Sequence, residues 1–386
     1  MIHHPLPIIF ILLSIEVSIL FISSQAWGQR YFKFLPPVFW IYFLPMLASS
    51  FGLIDSKLPL YSFISLYLLP GSLFLLLIPV DIRAILKLGK PALTMFFAGS
   101  LGIALGAPLV FVLFKPWIGP EFWSGFAALC GSWTGGSANM IAVKEALGTP
   151  DPIFLPMVIV DTVVPYVWMG ILVVLAEKQA VYDRWNGSRR EILREFTAER
   201  KSSIEKFSPA KILLILALAA GGSAAASSAA RFFPVVKDVI STYAWTIILV
   251  STMGVALSFT RLRGIERYGS ARIGYFILYF VLTTIGARAD IRTIGSAWIL
   301  IAAGFVLVLF HAAILFLVSR RMKAPLFLAA VASQANVGGV ASAPVVAEIY
   351  QPGAASLGLL LAILGNIIGT YVGILSGQLG RWLAGL

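Results

Sequence analysis

Charge is scarce in this chain. Only 12% of its 386 residues are Asp, Glu, Lys or Arg, against about 25% in ordinary soluble domains. Cysteine is nearly absent: Cys130 stands alone, so no intrachain disulfide can form. The only histidines are His3, His4 and His311, and with a single cysteine they make no metal-ligand spacing. There is no HExxH, no cluster of acids with metal-binding spacing and no Ser/His pairing in related segments. These absences argue against an enzyme and against a resident cofactor. The N-terminal MIHHPLPIIF has neither a basic leader nor a small-residue cleavage site, so no removable signal peptide is read there.

What the chain has in abundance is apolar length. Hydrophobic residues make up 59% of it, and the mean hydropathy is +0.92. Apolar runs of about 20 residues recur throughout, each long enough to cross a hydrocarbon core of roughly 30 Å. The fold class is an all-α polytopic membrane protein, with the lipid bilayer as its first partner and a bacterial inner (plasma) membrane as its expected location. Spans are expected at 6–24, 35–52, 59–80, 91–114 and 151–176, then at 210–231, 239–260, 270–287, 293–318 and 354–378. A polar stretch, 177–208, divides the two sets and reads as a solvated linker with room for a surface helix. The excess of 29 basic over 17 acidic residues is a topology signal here. No basic groove interleaved with aromatics is present, so no nucleic-acid partner is expected.

Two blocks break the apolar pattern with small polar residues. The first, 121–148, contains CGSWTGGSANM; the second, 325–350, contains SQANVGGVASAP. Gly135-Gly136 in one matches Gly338-Gly339 in the other, and Glu145 and Glu348 each follow nine residues after the pair. DIRAI at 81–85 matches DIRTI at 290–294, and DTVVPY at 161–166 lines up with NIIGTY at 366–371. Four landmarks in one order predict an internal repeat: residues 1–176 as the first and 209–386 as the second. If the broken blocks are re-entrant hairpins, each repeat has five spans and the repeats are inverted. That arrangement places 21 of the 29 basic residues on the cytoplasmic side, against about 19 for full crossings. Two inverted five-helix repeats, each with a broken or re-entrant Gly-Gly hairpin, are therefore expected.

Irregular backbone at membrane depth survives only where protein buries it or where it lines a watery cavity. Broken helices in inverted repeats frame the central site of many secondary transporters. The expected binding residues are Ser132, Thr134, Gly135, Gly136, Ser137 and Asn139 in the first block, and Gln334, Asn336, Gly338, Gly339 and Ser342 in the second. Asp161 joins them, because an acid near mid-span costs about 2.5–3.5 kcal/mol to insert and needs a partner or a cavity. Its repeat partner is Asn366. Asp161, Asn139, Asn336 and Asn366 are the candidate Na⁺ ligands. Glu145, Glu348 and His311 are weaker candidates, with interfacial or interhelical hydrogen-bonding roles as the alternative. Glu16 is a lone acid in the first span, and Arg288 with Asp290 reads as a loop ion pair. GGSAAASSAA, 221–230, reads as a packing surface.

GSWTGGSANMIAV, VDTVVPY, IGARADIRTI, SQANVGGVASAPVVAE and GNIIGTYVGIL resemble the membrane family called domain of unknown function eight hundred nineteen. That family is similar in organisation to the sodium–glutamate and sodium–citrate symporters. The resemblance implies two inverted five-helix domains, a homodimeric scaffold and a mobile core. It implies a cation-coupled secondary transporter but names no substrate. A small polar or anionic solute moved by alternating access is the expectation, with Na⁺ favoured over H⁺ because neutral amides and hydroxyls suit Na⁺. An ion channel, or a cation/proton antiporter without an organic substrate, is the alternative.

Overall fold

The structure is a computed structural model that describes residues 2–32, 37–188, 208–236, 241–288, 297–352 and 354–386. Among the described residues the chain is helical throughout, with one isolated bridge between Ile2 and Ile54. Eight helices are long and apolar enough to cross a membrane: α1 (Pro5–Ser24), α4 (Pro59–Leu77), α6 (Gly89–Ile118), α9 (Asp151–Ala176), α11 (Pro209–Ala230), α13 (Ser270–Arg288), α14 (Ala297–Met322) and α17 (Ala355–Leu383). Two expected spans are shorter. The span expected at 35–52 is α3 (Pro37–Ser50), with 14 residues, and residues 33–36 fall outside the described part. The span expected at 239–260 is α12 (Thr242–Ser258), with 17 residues, and it bends by 96° into a 3-10 segment, Arg261–Tyr268. Thr260 causes that break: its hydroxyl caps Leu262 N–H and starts the new segment. Short helices α2 (Ala26–Phe32), α5 (Ile82–Leu86) and α10 (Gln179–Asn186) complete the linking regions. Asp81 of DIRAI caps α5 through Ala84 N–H at 3.0 Å; DIRTI lies outside the described residues.

Contacts divide the chain into two units, each drawn from both halves of the sequence. The first comprises Met1–Val80, Gly148–Thr162 and Ser203–Ala297, and the second Asp81–Leu147, Val163–Ser202 and Trp298–Leu386. The first half thus gives α1 to α4 and the start of α9 to the first unit, and the second half gives α11, α12 and α13. Within that unit α4 is central. The Phe74 ring lies over Gly222, and the Ala219 carbonyl lies against Gly71. The small-residue stretch of α11 therefore packs helix on helix. Gly286 of α13 rests on the Tyr42 backbone of α3. Arg288 at the end of α13 pairs with Asp151 at the start of α9 at 3.2 Å and reaches Ser62 at 3.3 Å. The expected partner, Asp290, lies outside the described residues.

Candidate functional site

The second unit holds α6, α14, α17 and both broken blocks. The first block is α7 (Trp123–Gly135) followed by α8 (Ser137–Leu147), and the second is α15 (Leu326–Val337) followed by α16 (Gly339–Tyr350). In the first the chain reverses at Gly136, whose φ of +80° and ψ of 178° suit glycine. Gly131 of α7 lies against Val143 of α8, so the two half-helices run side by side. In the second the positive φ falls at Gly339, +62°. There the reversal brings Phe327, at the start of α15, beside Tyr350, at the end of α16, with ring centroids 6.4 Å apart.

The long helices show which way each hairpin points. α6 and α17 run parallel: Gly365 meets the Phe96 ring, Ser376 donates to the Ala104 carbonyl at 2.8 Å, and Gly380 meets Pro108. α14 runs against α6, since Gly106 faces Leu307 and Phe310, while Gly99 faces His311. The first hairpin starts just beyond the C-terminal end of α6 through a 3-10 turn, Pro120–Phe122. The second starts just beyond the C-terminal end of α14, which lies at the N-terminal end of α6. The hairpins therefore enter from opposite ends of α6, and their tips converge on one stretch of it. Asn336 bonds the Phe96 carbonyl at 3.2 Å and Ser100 at 2.7 Å. Gly365 touches both Phe96 and the Thr134 carbonyl.

A row of glycines on α17 makes room for the first hairpin. Gly365, Gly369, Gly373 and Gly377 recur every four residues and face Thr134, Gly135, Gly131 and Ala127 in turn. A Cβ on any of them would enter neighbouring backbone or side-chain atoms. This is small-residue packing between helices, and its period of four was readable in the sequence, though not its partner.

Most of the expected side chains are held tightly. Asn139 is 3% exposed; its amide nitrogen donates to the Gly135 carbonyl, and its oxygen accepts from Thr370 at 2.6 Å. Asn336 is fully buried and repeats the arrangement, donating to Ala332 at 2.9 Å and accepting from Ser100. Gln334 donates to Ser342 across the second turn at 2.8 Å, while its amide oxygen is buried without a hydrogen-bond partner among the described residues. Ser132 is buried, and its carbonyl accepts from Gly136 N–H. The Cys130 thiol lies beside the hydroxyls of Thr134 and Ser376. Around the tips Gly136, Ser137, Gly338, Gly339 and Asn366 are only half-buried. The Asn366 amide oxygen lies 3.6 Å from where a Cβ on Gly136 would sit.

The remaining candidates lie elsewhere. Asp161 belongs to the first unit's part of α9 and is half-buried. Glu145 and Glu348 occupy the hairpin limbs away from the tips; Glu145 pairs with buried Lys144 at 3.0 Å, and Glu348 is exposed. His311 is fully buried in a chain of hydrogen bonds. Trp168 N–H donates to Ser333 at 2.9 Å, Ser333 meets His311 Nε2 at 2.9 Å, and His311 Nδ1 meets the Gly99 carbonyl at 2.8 Å. A carbonyl only accepts, so Nδ1 carries the hydrogen and Nε2 is free to accept from Ser333. The ring thus ties α14 to α6 and α15, an interhelical role. No group of three His, Cys, Asp or Glu side chains that could hold a metal ion occurs among the described residues.

The family described as Protein of unknown function (DUF819) matches residues 10–383 of the chain. The chain belongs to this family. It is also similar to the uncharacterized membrane protein YjcL of Bacillus subtilis (strain 168), at 25% identity over 352 residues, which covers 88% of this chain and 87% of YjcL. The match covers both hairpins and every helix described above except the start of α1. With its many apolar helices, the family member is an integral membrane protein in contact with a lipid bilayer.

Proposed function

We propose that the protein is a cation-coupled secondary transporter of a small polar or anionic solute, with its binding site at the converged hairpin tips. The convergence carries this reading. Each tip places the C-terminal end of one half-helix next to the N-terminal start of another. The free N–H groups of α8 and α16 and their positive dipole ends suit an anionic group. The carbonyls closing α7 and α15 suit a cation stripped of water. Inverted repeats with broken helices around a central site are the architecture in which such pairing drives alternating access. In this site Asn139 and Asn336 fix the tips, while Ser137, Asn366 and the half-buried glycine backbone meet the solute. Na⁺ is favoured over H⁺ because the tips offer neutral oxygens in place of titrating groups. Asp161 is assigned to the ion pathway, and a homodimer in the bacterial inner membrane is the assembly expected.

Proteoliposomes made with the purified protein should take up solute saturably under an imposed Na⁺ gradient. Na⁺ alone should raise the thermal stability of the purified protein, since a ligand that binds only the native state stabilises it. Asp161→Ala should abolish the gradient dependence. Uptake that ignores both the gradient and the substitution would refute coupling.

A further inference from the structure

α1 meets the rest of its unit along one stripe, formed by Ile8, Leu12, Glu16 and Ile19; most of its other side chains are at least partly exposed. Glu16 is the anomaly on that stripe. Its exposure is 0%, and among the described residues neither carboxyl oxygen has a hydrogen-bond partner. The position is near the middle of a 20-residue apolar helix, where an aliphatic side chain would pack without penalty. An ionised carboxylate there would be stripped of water, with no donor and no counter-charge.

Among the described residues the surrounding elements supply neither. α1 packs against α2, α3 and α13. From α13, Tyr279 is close enough for its phenol to feel the Glu16 charge, and Tyr275 stacks beside it at 5.9 Å. The α13 cations are Arg272, which is exposed, and Arg288, which is paired with Asp151. From α3 the titratable side chain is Tyr42, which sits with Asp151 and Arg288; α2 carries Arg30, which is exposed, and Tyr31. A bare monovalent cation needs several oxygen ligands, and Glu16's neighbours on the stripe, Leu12 and Ile19, are aliphatic.

We propose that Glu16 is a proton-binding site of the first unit, a neutral acid in this conformation that exchanges its proton with the aqueous phase. The proposal stands apart from the transport reading, because the proton is detected with no solute present.

The test uses the full-length protein in detergent and the hydrophobic reagent dicyclohexylcarbodiimide. A buried protonated carboxyl gives its proton to a carbodiimide nitrogen as its oxygen adds to the central carbon. The acyl group then migrates to nitrogen as a stable N-acylurea. Tandem mass spectrometry should find one carbodiimide equivalent on Glu16, falling several-fold as the buffer is made strongly alkaline, and absent in Glu16→Gln. In infrared difference spectra of the wild type, a carboxylic-acid carbonyl band should disappear reversibly over the same alkaline shift. These two wild-type readings stand even if the variant fails to fold. No adduct on Glu16, labelling unchanged by pH, or an acid band that is absent or never titrates would each overturn the proposal.

Discussion

The two hairpins reach the same geometry with different side chains. In the first, the bracing amide is Asn139, three residues after the glycine that turns the chain; in the second it is Asn336, three residues before it. Each donates to the carbonyl four residues earlier and accepts from a hydroxyl on a long helix, Thr370 in one case and Ser100 in the other. The second hairpin adds a brace of its own, Gln334 to Ser342, that the first replaces with close backbone contact against α17. The shared requirement is a glycine turn and one amide bonded through both its nitrogen and its oxygen. Where that amide sits is free to differ.

The largest effects are expected where a side chain would separate backbones. Gly365→Ala would drive a methyl group into the Thr134 carbonyl and should dislodge the first hairpin. Gly358→Ala would do the same to the second through the Ala343 backbone. Each should lower stability by about 3 kcal/mol, the upper end for overpacking, measured as loss of folded protein in thermal unfolding. If only one of the pair is damaging, the hairpins are not built alike.

The amides should separate next. Asn336→Ala removes three hydrogen bonds and Asn139→Ala removes two. A buried group left unsatisfied costs about 1–3 kcal/mol, so the Asn336 variant should be the less stable of the two in the same assay. Equal losses would mean that the extra bond to Phe96 contributes little.

The turns should respond least by steric clash, with Gly339 milder than Gly136. A Cβ on Gly339 meets nothing within 4 Å, and one on Gly136 meets only Asn366 at 3.6 Å. Alanine at either position therefore brings backbone strain alone, about 1–3 kcal/mol, and more at Gly136, whose φ of +80° and ψ of 178° lie in a region that is essentially glycine's own. A much larger loss of uptake than of stability at Gly136, but not at Gly339, would assign solute contact to the first tip.

The spans were legible because lipid imposes its signature on every residue of a crossing helix. α6, expected at 91–114, runs from Gly89 to Ile118, and α9 was expected as it stands, 151–176. The tips were legible because a doubled glycine inside an apolar run marks a place where a helix readily stops and turns. The internal braces were not. Ser100, Trp168 and Thr370 look like ordinary helix residues, and their roles appear only when helices far apart in sequence meet Asn336, Ser333 and Asn139. For Asn139 the sequence shows an amide's chemistry, but only the structure shows that its nitrogen and oxygen bond Gly135 and Thr370. Glu16 was visible from the start as an acid in an apolar span, yet only burial shows that it faces protein and not lipid headgroups or water.

The glycine row on α17 also carries a consequence for biosynthesis. Asn139 and Thr370 are 231 residues apart, so the surface that receives the first hairpin, on α17, leaves the ribosome long after the hairpin itself. Until α17 emerges, the Thr134 and Gly135 backbone has no groove to enter, and the half-helices around it have no permanent cover. The nascent chain must keep an unfinished hairpin until α17 has been made. α17 therefore completes a structure begun near residue 123.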